Sequence, residues 1–145
     1  MKSKRPVMVE VDINDALTIA RLASLHHRIF GQHAPAPSFD GYWWIAEGSG
    51  KPIGFCGLSL NVATKGAGFL CRAGVIGAYR GQGIQKQMIR LRERKAISLG
   101  LEQLVTYTID NPPSANSLIA CGYRTYSPKH KWAATEAVYW RREIG

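Results

Sequence analysis

The stretch GVIGAYRGQGIQKQM, running from Gly74 to Met88, decides the reading of the chain. It passes from a short apolar run through Tyr79-Arg80-Gly81-Gln82-Gly83 into a helical pattern that begins near Ile84. A strand-to-helix turn of this kind aims several backbone N–H groups at one place. With the positive helix end and the Arg80 guanidinium, they make a seat for a phosphate or pyrophosphate. Gly81 and Gly83 then have a physical purpose, because a Cβ at either would hold the backbone away from the ligand. Lys86 adds a cation one turn into the helix. Gly-x-Gly alone is more often a plain turn. No Gly-Lys-Ser/Thr closes this one as in a Walker loop, and the third glycine of a dinucleotide fingerprint is missing.

Downstream of the loop, Ile84, Met88, Leu91 and Leu99 form one apolar side of a helix, widened by Ile89 and Ala96, with Gly100 as its C-terminal cap. Lys95 and Arg92 intrude on that arc, so their stems are expected to run along its edge with the charges in water. LEQLVTYTI (101–109) predicts a strand, and PPSANSLIACG (112–122) a short helix with Pro at its start and Gly122 at its end. YRTY (123–126) and TEAVYWRREI (135–144) predict closing strands. Upstream, VMVEV (7–11) predicts a first strand and DINDALTIARLASLHHRIF (12–30) an amphipathic helix capped by Asp12 or Asn14. Gly31 to Gly41 is a proline-containing loop. YWWIAE (42–47) and IGFCGLSLNVA (53–63) predict a hairpin around GSGKP, and FLCRAGVIG (69–77) the next strand. The order β-α-loop-β-β-β-α-β-α-β-β holds one clear crossover, from Phe69 to Ile109, which makes those two strands parallel neighbours. The expected fold class is α/β (α+β): a mixed, mostly antiparallel central sheet of about seven strands with helices on both faces, in a single domain over 1–145.

With 145 residues, 46% hydrophobic and 20% charged, the chain suits one globular core. No apolar run is long enough to cross a bilayer, so no membrane partner is expected. The basic N-terminus runs into Asp12 and Asp15 instead of an apolar stretch, a poor export signal, which makes the cytoplasm the expected location. Cys56, Cys71 and Cys121 lack metal-ligand spacing and read as buried, reduced thiols; no metal site is expected. The net charge of +9 is unevenly placed: no acidic residue stands between Glu47 and Glu93, while Lys51, Lys65, Arg72, Arg80, Lys86, Arg90 and Arg92 do. Something anionic is expected to approach the middle of the chain.

V-x-x-x-Y-R-G-Q-G-I, Val75 to Ile84, resembles the acetyl-CoA-binding motif of the GNAT superfamily of N-acetyltransferases, and the strand order resembles that fold over essentially the whole chain. In that family the motif reads Gln/Arg-x-x-Gly-x-Gly/Ala; Arg80 and Gly83 match, while Gln85 stands in place of the final small residue. N-x-x-S-x-N-x-L-x-x-x-G-Y, Asn111 to Tyr123, resembles the family's segment flanking the pantetheine arm, which usually ends in Gly-Phe. The resemblance implies that the strand around Gly74 to Ile76 splays from the one ending near Ile109, so that pantetheine binds like an added strand. It implies main-chain contacts from Gly74, Val75 and Ile76. It also implies a pyrophosphate grip by Arg80, Gly81, Gln82, Gly83, Ile84, Gln85 and Lys86, with Asn111 on the pantetheine and Arg90 near the ribose phosphate. Asn111 before Pro112 is equally a helix cap, and Tyr79 reads as a packing residue.

Acetyl transfer to an amine needs a neutral nucleophile, a polarised thioester carbonyl and a proton for the departing thiolate. The resemblance implies that a backbone N–H near Val75 or Ile76 polarises the carbonyl. Relatives often carry Tyr four residues before the terminal Gly-Phe, where this chain has Leu118. Tyr126, Tyr107 or a water then stands as the proton donor, since Ser117 is rotated by about 100° around the helix. Asp110 is the nearest acidic candidate for the base and is equally a turn residue; His33 and His130 are further candidates. Trp43, Trp44, Trp132 and Trp140 either line an aromatic acceptor pocket or are core, and an exposed Trp140 admits a homodimer beside a monomer. The expected function is N-acetyl transfer from acetyl-CoA to a primary amine of an unidentified acceptor. The alternatives are a catalytically silent CoA-binding module and a basic nucleic-acid-binding or -modifying protein.

Overall fold

The computed structural model describes residues 5–32 and 34–145, so His33 lies outside the described residues. The chain runs β1 (Val7–Val11), α1 (Ala16–Phe30), β2 (Tyr42–Gly48), β3 (Lys51–Ser59), β4 (Ala67–Val75), α2 (Ile84–Ser98), β5 (Gln103–Thr108), α3 (Pro112–Ala120), β6 (Arg124–Tyr126) and β7 (Val138–Glu143). That is the order expected from the sequence, with a 3-10 turn, Gly77–Tyr79, between β4 and α2. The strands form a mixed sheet in the order β1-β2-β3-β4-β5-β7-β6. β4 and β5 pair in parallel, while β1–β2, β2–β3, β5–β7 and β7–β6 pair antiparallel. Among the described residues no helix is long and apolar enough to cross a membrane. Contacts gather into two compact units, one holding the chain up to Ser59 with Cys71–Ile84, the other Leu60–Leu70 with Gln85–Gly145.

In the first unit Asp15 starts α1: Oδ1 accepts from the Leu17 N–H at 3.4 Å and Oδ2 from the Thr18 hydroxyl at 3.0 Å. Asp12 or Asn14 was the expected cap, but Asp12 spends its carboxylate on the Asn14 N–H at 2.9 Å in the preceding turn. The β2–β3 hairpin closes on Ser49 and Gly50, both at positive φ (53° and 76°), the two-residue geometry whose twist suits paired strands. Leu22, Leu25, Trp43, Ile45 and Phe55 form the buried core of this unit. Burying one side chain of that size contributes about 1.5–3 kcal/mol. Trp43 and Trp44 are core residues, and the Trp43 indole donates to the Asp40 carbonyl at 2.7 Å.

In the second unit α2 buries Met88, Ile89, Arg92, Glu93 and Ala96. Its inward face holds Ile84, Met88, Ile89 and Ala96 as expected and is widened by Arg92, only 3% exposed, and Glu93, while Leu99 just past the helix is 37% exposed. Instead of running along the edge, Arg92 bonds inward, its Nε donating to the Met88 carbonyl at 3.1 Å. α2 and α3 end in the same device. Gly100 and Gly122, at φ 77° and 90°, donate to Ile97 and Ile119, and the next residues donate to Ala96 and Leu118, all at 3.0 Å. Trp140 is 6% exposed and its indole donates to the Thr108 hydroxyl at 3.0 Å, so it offers no surface for a homodimer. Cys56 and Cys121 are buried as expected, while Cys71 is half-buried.

β4 carries the feature that shapes the site. Its parallel ladder with β5 covers Ala67, Gly68 and Phe69 opposite Gln103, Leu104 and Val105. At Leu70 the carbonyl accepts the Thr106 hydroxyl at 2.8 Å, and farther along the Ile76 N–H donates to Ile53 of β3 at 2.8 Å. In an unbroken strand, residues an even number apart turn their peptide groups to the same side. Here they turn to opposite neighbours, so the strand reverses phase between Leu70 and Ile76. The side chains mark the place: Cys71 packs into the core under α1, and Arg72, directly after it, lies over Phe30 of α1. Two successive side chains on one face and a reversed main chain are what an inserted residue produces in a strand.

Candidate functional site

The segment after β4 is built as a tight loop. The Tyr79 N–H donates to the Ile76 carbonyl at 2.8 Å and the Arg80 N–H to the Gly77 carbonyl at 3.2 Å. Arg80 reaches back, its Nε donating to the Val75 carbonyl at 3.3 Å, which pins the loop to the strand end. One of the five guanidinium donors is used in this way. Tyr79 packs beside Gly48, where a Cβ would lie 3.5 Å from its ring, in keeping with a packing role.

Gly81 and Gly83 stand at φ 79° and 75°. Any residue with a Cβ would be strained there by about 1–2 kcal/mol. A Cβ at either would meet no atom within 4 Å, so the turn is open on the side its glycines face. Gly83 directly precedes α2 and has no side chain to accept the helix's leading N–H groups, and the first turn of α2 holds no acidic residue. The loop thus joins an open glycine turn, helix-start donors, Arg80 and the exposed Lys86, which fits a diphosphate group. Gln82 is exposed, Gln85 half-buried, and Ile84 buried, anchoring the helix start.

The main chain just before the loop divides the roles of Val75 and Ile76. The Ile76 N–H is bonded to Ile53 and its carbonyl to Tyr79, so it is not the donor toward a thioester. Val75, one residue earlier, turns its N–H and carbonyl to the edge away from β3, where its carbonyl meets Arg80. Gly74 serves packing as well as the main chain, since a Cβ there would sit 2.9 Å from both Ile29 and Phe30 of α1.

The remaining candidates lie in the second unit. Asn111 caps α3, its Oδ1 accepting from the Ser114 N–H at 3.2 Å, and Asp110 before it is exposed at φ 43°. Leu118 is buried in α3. Tyr126 packs against Tyr139 with ring centres 6.2 Å apart and lies under the Arg141 guanidinium at 4.8 Å; it is engaged with these residues, not with Asp110. Tyr107 stacks on Phe69, and Trp132 stands edge-on to both. Of the four tryptophans only Trp132, at 41%, is exposed. His130 is exposed.

Two groupings escaped the sequence reading. Glu93, buried in α2, accepts from Arg142 at 2.7 Å, Arg90 at 2.8 Å and the Tyr123 hydroxyl at 3.0 Å. Arg90 also donates from the same Nη1 to the Cys121 carbonyl at 3.3 Å, while its side chain stays 45% exposed. Burial, together with the Glu93 carboxylate, pushes the Tyr123 phenol well up, which keeps it a hydrogen-bond donor. In the first unit His26 is 2% exposed, stacks on Phe30 at 4.9 Å, and has no partner for its Nε2. Burial first, then Arg72 and His27, hold its imidazole below the ordinary value, hence neutral near pH 7.

Solved structures share this fold. The ribosomal-protein-S18-alanine N-acetyltransferase from Escherichia coli superposes with a TM-score of 0.72 at 12% identity, over 96% of this chain and 94% of that one. A GNAT superfamily phosphinothricin acetyltransferase from Sinorhizobium meliloti, solved with AcCoA, gives 0.73 at 16% identity over 98% and 90%. A Bacillus subtilis acetyltransferase in complex with CoA gives 0.70 at 13% identity over 97% and 99%. No curated protein matches the chain. Identities this low speak for the fold alone; a separate match to the Acetyltransferase (GNAT) family runs over residues 13–123 and takes in both β4 and the glycine loop. The chain therefore belongs to the acetyltransferase (GNAT) family.

Proposed function

We propose that the protein is an N-acetyltransferase that carries an acetyl group from acetyl-CoA to a primary amine by direct attack. The observation that carries this reading is the loop from Val75 to Ile84: an open double-glycine turn that feeds a helix start preceded by glycine and free of acidic residues in its first turn, pinned by Arg80 to the edge of β4. Its donors suit the CoA pyrophosphate, and relatives of the same fold solved with AcCoA or CoA support the choice of cosubstrate. In the reaction the amine nitrogen bonds to the acetyl carbon, the carbon–sulfur bond breaks, the nitrogen loses a proton and the CoA sulfur gains one. The Val75 N–H is the donor assigned to the developing oxyanion, a role worth about 2.7–4 kcal/mol. Asp110 is assigned to take the proton and Tyr126 to supply one, with Asn111 beside the pantetheine. An acceptor whose amine is already neutral at the working pH asks little of a base. The reading puts the enzyme in the cytoplasm, as a monomer or homodimer.

Calorimetric titration with acetyl-CoA and CoA, followed by a CoA-release assay over a panel of primary amines, tests it. Micromolar binding and amine-dependent release are expected. Absence of binding would overturn the loop assignment. Binding without release would favour a silent CoA-binding module, the reading that Leu118, buried where relatives often carry Tyr, speaks for. In the same assay Asp110→Asn and Tyr126→Phe should each lower kcat about 100-fold or more, and a retained kcat would remove that residue from the chemistry.

A further inference from the structure

Arg72 is out of place as a purely structural residue. It sits on β4, half-buried, three residues before Val75, and its guanidinium lies 5.2 Å from the centre of the Phe30 ring. Its contact is the Phe30 ring and no ion pair of Arg72 is found among the described residues; the chain between Glu47 and Glu93 holds no acidic residue. A guanidinium withdrawn from water without an anion costs free energy that its aromatic contact offsets only in part. Beneath it lies a second unmet group, the His26 imidazole, stacked on the same Phe30 ring with a partnerless Nε2. Phe30 in turn presses on Gly74, where a Cβ would be 2.9 Å from its Cε2, so its ring bridges Arg72 and the residue next to Val75.

We propose that Arg72, held over Phe30 beside the Val75 edge, is an anion subsite that binds a free carboxylate carried by the amine acceptor. The proposal rests on the acetyl-transfer reading in that it takes Val75 to mark where the thioester lies. A planar fork of N–H donors matches a carboxylate in two-point contact, which positions the substrate as well as binding it. A charge-assisted bond of this kind changes affinity about 10- to 100-fold. The acceptor class is therefore amino acids and short peptides with a free carboxyl end, not simple alkylamines.

The test uses matched pairs: leucine and leucinamide, β-alanine and β-alaninamide, glycylglycine and its amide, each at saturating acetyl-CoA. KM is compared per neutral amine, at a pH where the neutral fraction of each substrate is known, because amidation also lowers the pKa of the neighbouring amine and so raises its neutral share. The carboxylate forms should show KM at least tenfold below their amides. Arg72→Gln should erase that gap while leaving CoA affinity and amide turnover within twofold, and Arg72→Lys should keep part of it. Equal KM within the wild-type pairs, or a parallel loss for both forms in Arg72→Gln, would overturn the subsite. A loss of CoA affinity in Arg72→Gln would overturn it too, by assigning Arg72 to the cosubstrate. If CoA binds but no amine is acetylated, the transferase reading fails by itself. The subsite is then read from the His26 ring by NMR, with leucine added to the CoA complex. A shift in the wild type that is absent in Arg72→Gln supports it, and no shift overturns it.

Discussion

Glu93 shows what a single side chain can hold. It gathers Arg90 of its own helix, Tyr123 after α3 and Arg142 of β7 onto one buried carboxylate. Removing one member of such a group strands the others without counter-charge, which costs about 3–5 kcal/mol. Glu93→Ala should therefore lower Tm by on the order of 10 °C in a chain of this size, measured by thermal unfolding. An unchanged Tm would show that the cluster is slack. The triple change Glu93→Leu, Tyr123→Phe, Arg142→Met should recover most of the loss, since apolar replacement of buried ionic partners is often neutral or stabilising and Arg90, 45% exposed at its side chain, can turn to water. None of this was legible in the sequence, where Glu93 reads as one more solvated charge in RLRERK and Arg142 stands far away in the chain. Arg72 and His26 were hidden for the same reason, because their meaning lies in what the fold fails to place beside them.

At the scale of elements, the loop and the two helix ends were legible because each is a local device. Glycine at positive φ and Pro at a helix start act within a few residues, and the crossover rule then gave the parallel β4–β5 pair. The apolar part of the inward face of α2 was legible, but counting apolar letters leaves out Arg92 and Glu93, which the helix buries with internal partners, and takes in Leu99, which is exposed. The phase reversal in β4 has no letter of its own, so Val75 and Ile76 could not be told apart until the bond to Ile53 was seen. For the loop as a unit, Gly83→Val puts a β-branched residue at positive φ and fills the open side of the turn. It should weaken acetyl-CoA binding by 100-fold or more in calorimetry, while Arg80→Ala weakens it about tenfold, with far-UV circular dichroism unchanged in both. Equal affinity in both variants would remove the loop from the site.

Over the whole molecule, the charge of +9 has to be reconciled with a single anionic cosubstrate. Acetyl-CoA at about one hundred times its Kd should add about 2.7 kcal/mol and raise Tm by roughly 5–10 °C. The rise should shrink with added salt, because the loop's cations are exposed. Retention on nucleic acid that disappears once acetyl-CoA is bound would show that the charge serves the cosubstrate, and retention that persists would give the basic surface a purpose of its own. A different consequence follows from the path of the chain. It leaves the first compact unit after Ser59, returns at Cys71 and leaves again after Ile84, so neither unit is written as one continuous stretch of code. No single cut in the chain releases either unit intact, so a truncation that removes the whole of one also removes part of the other.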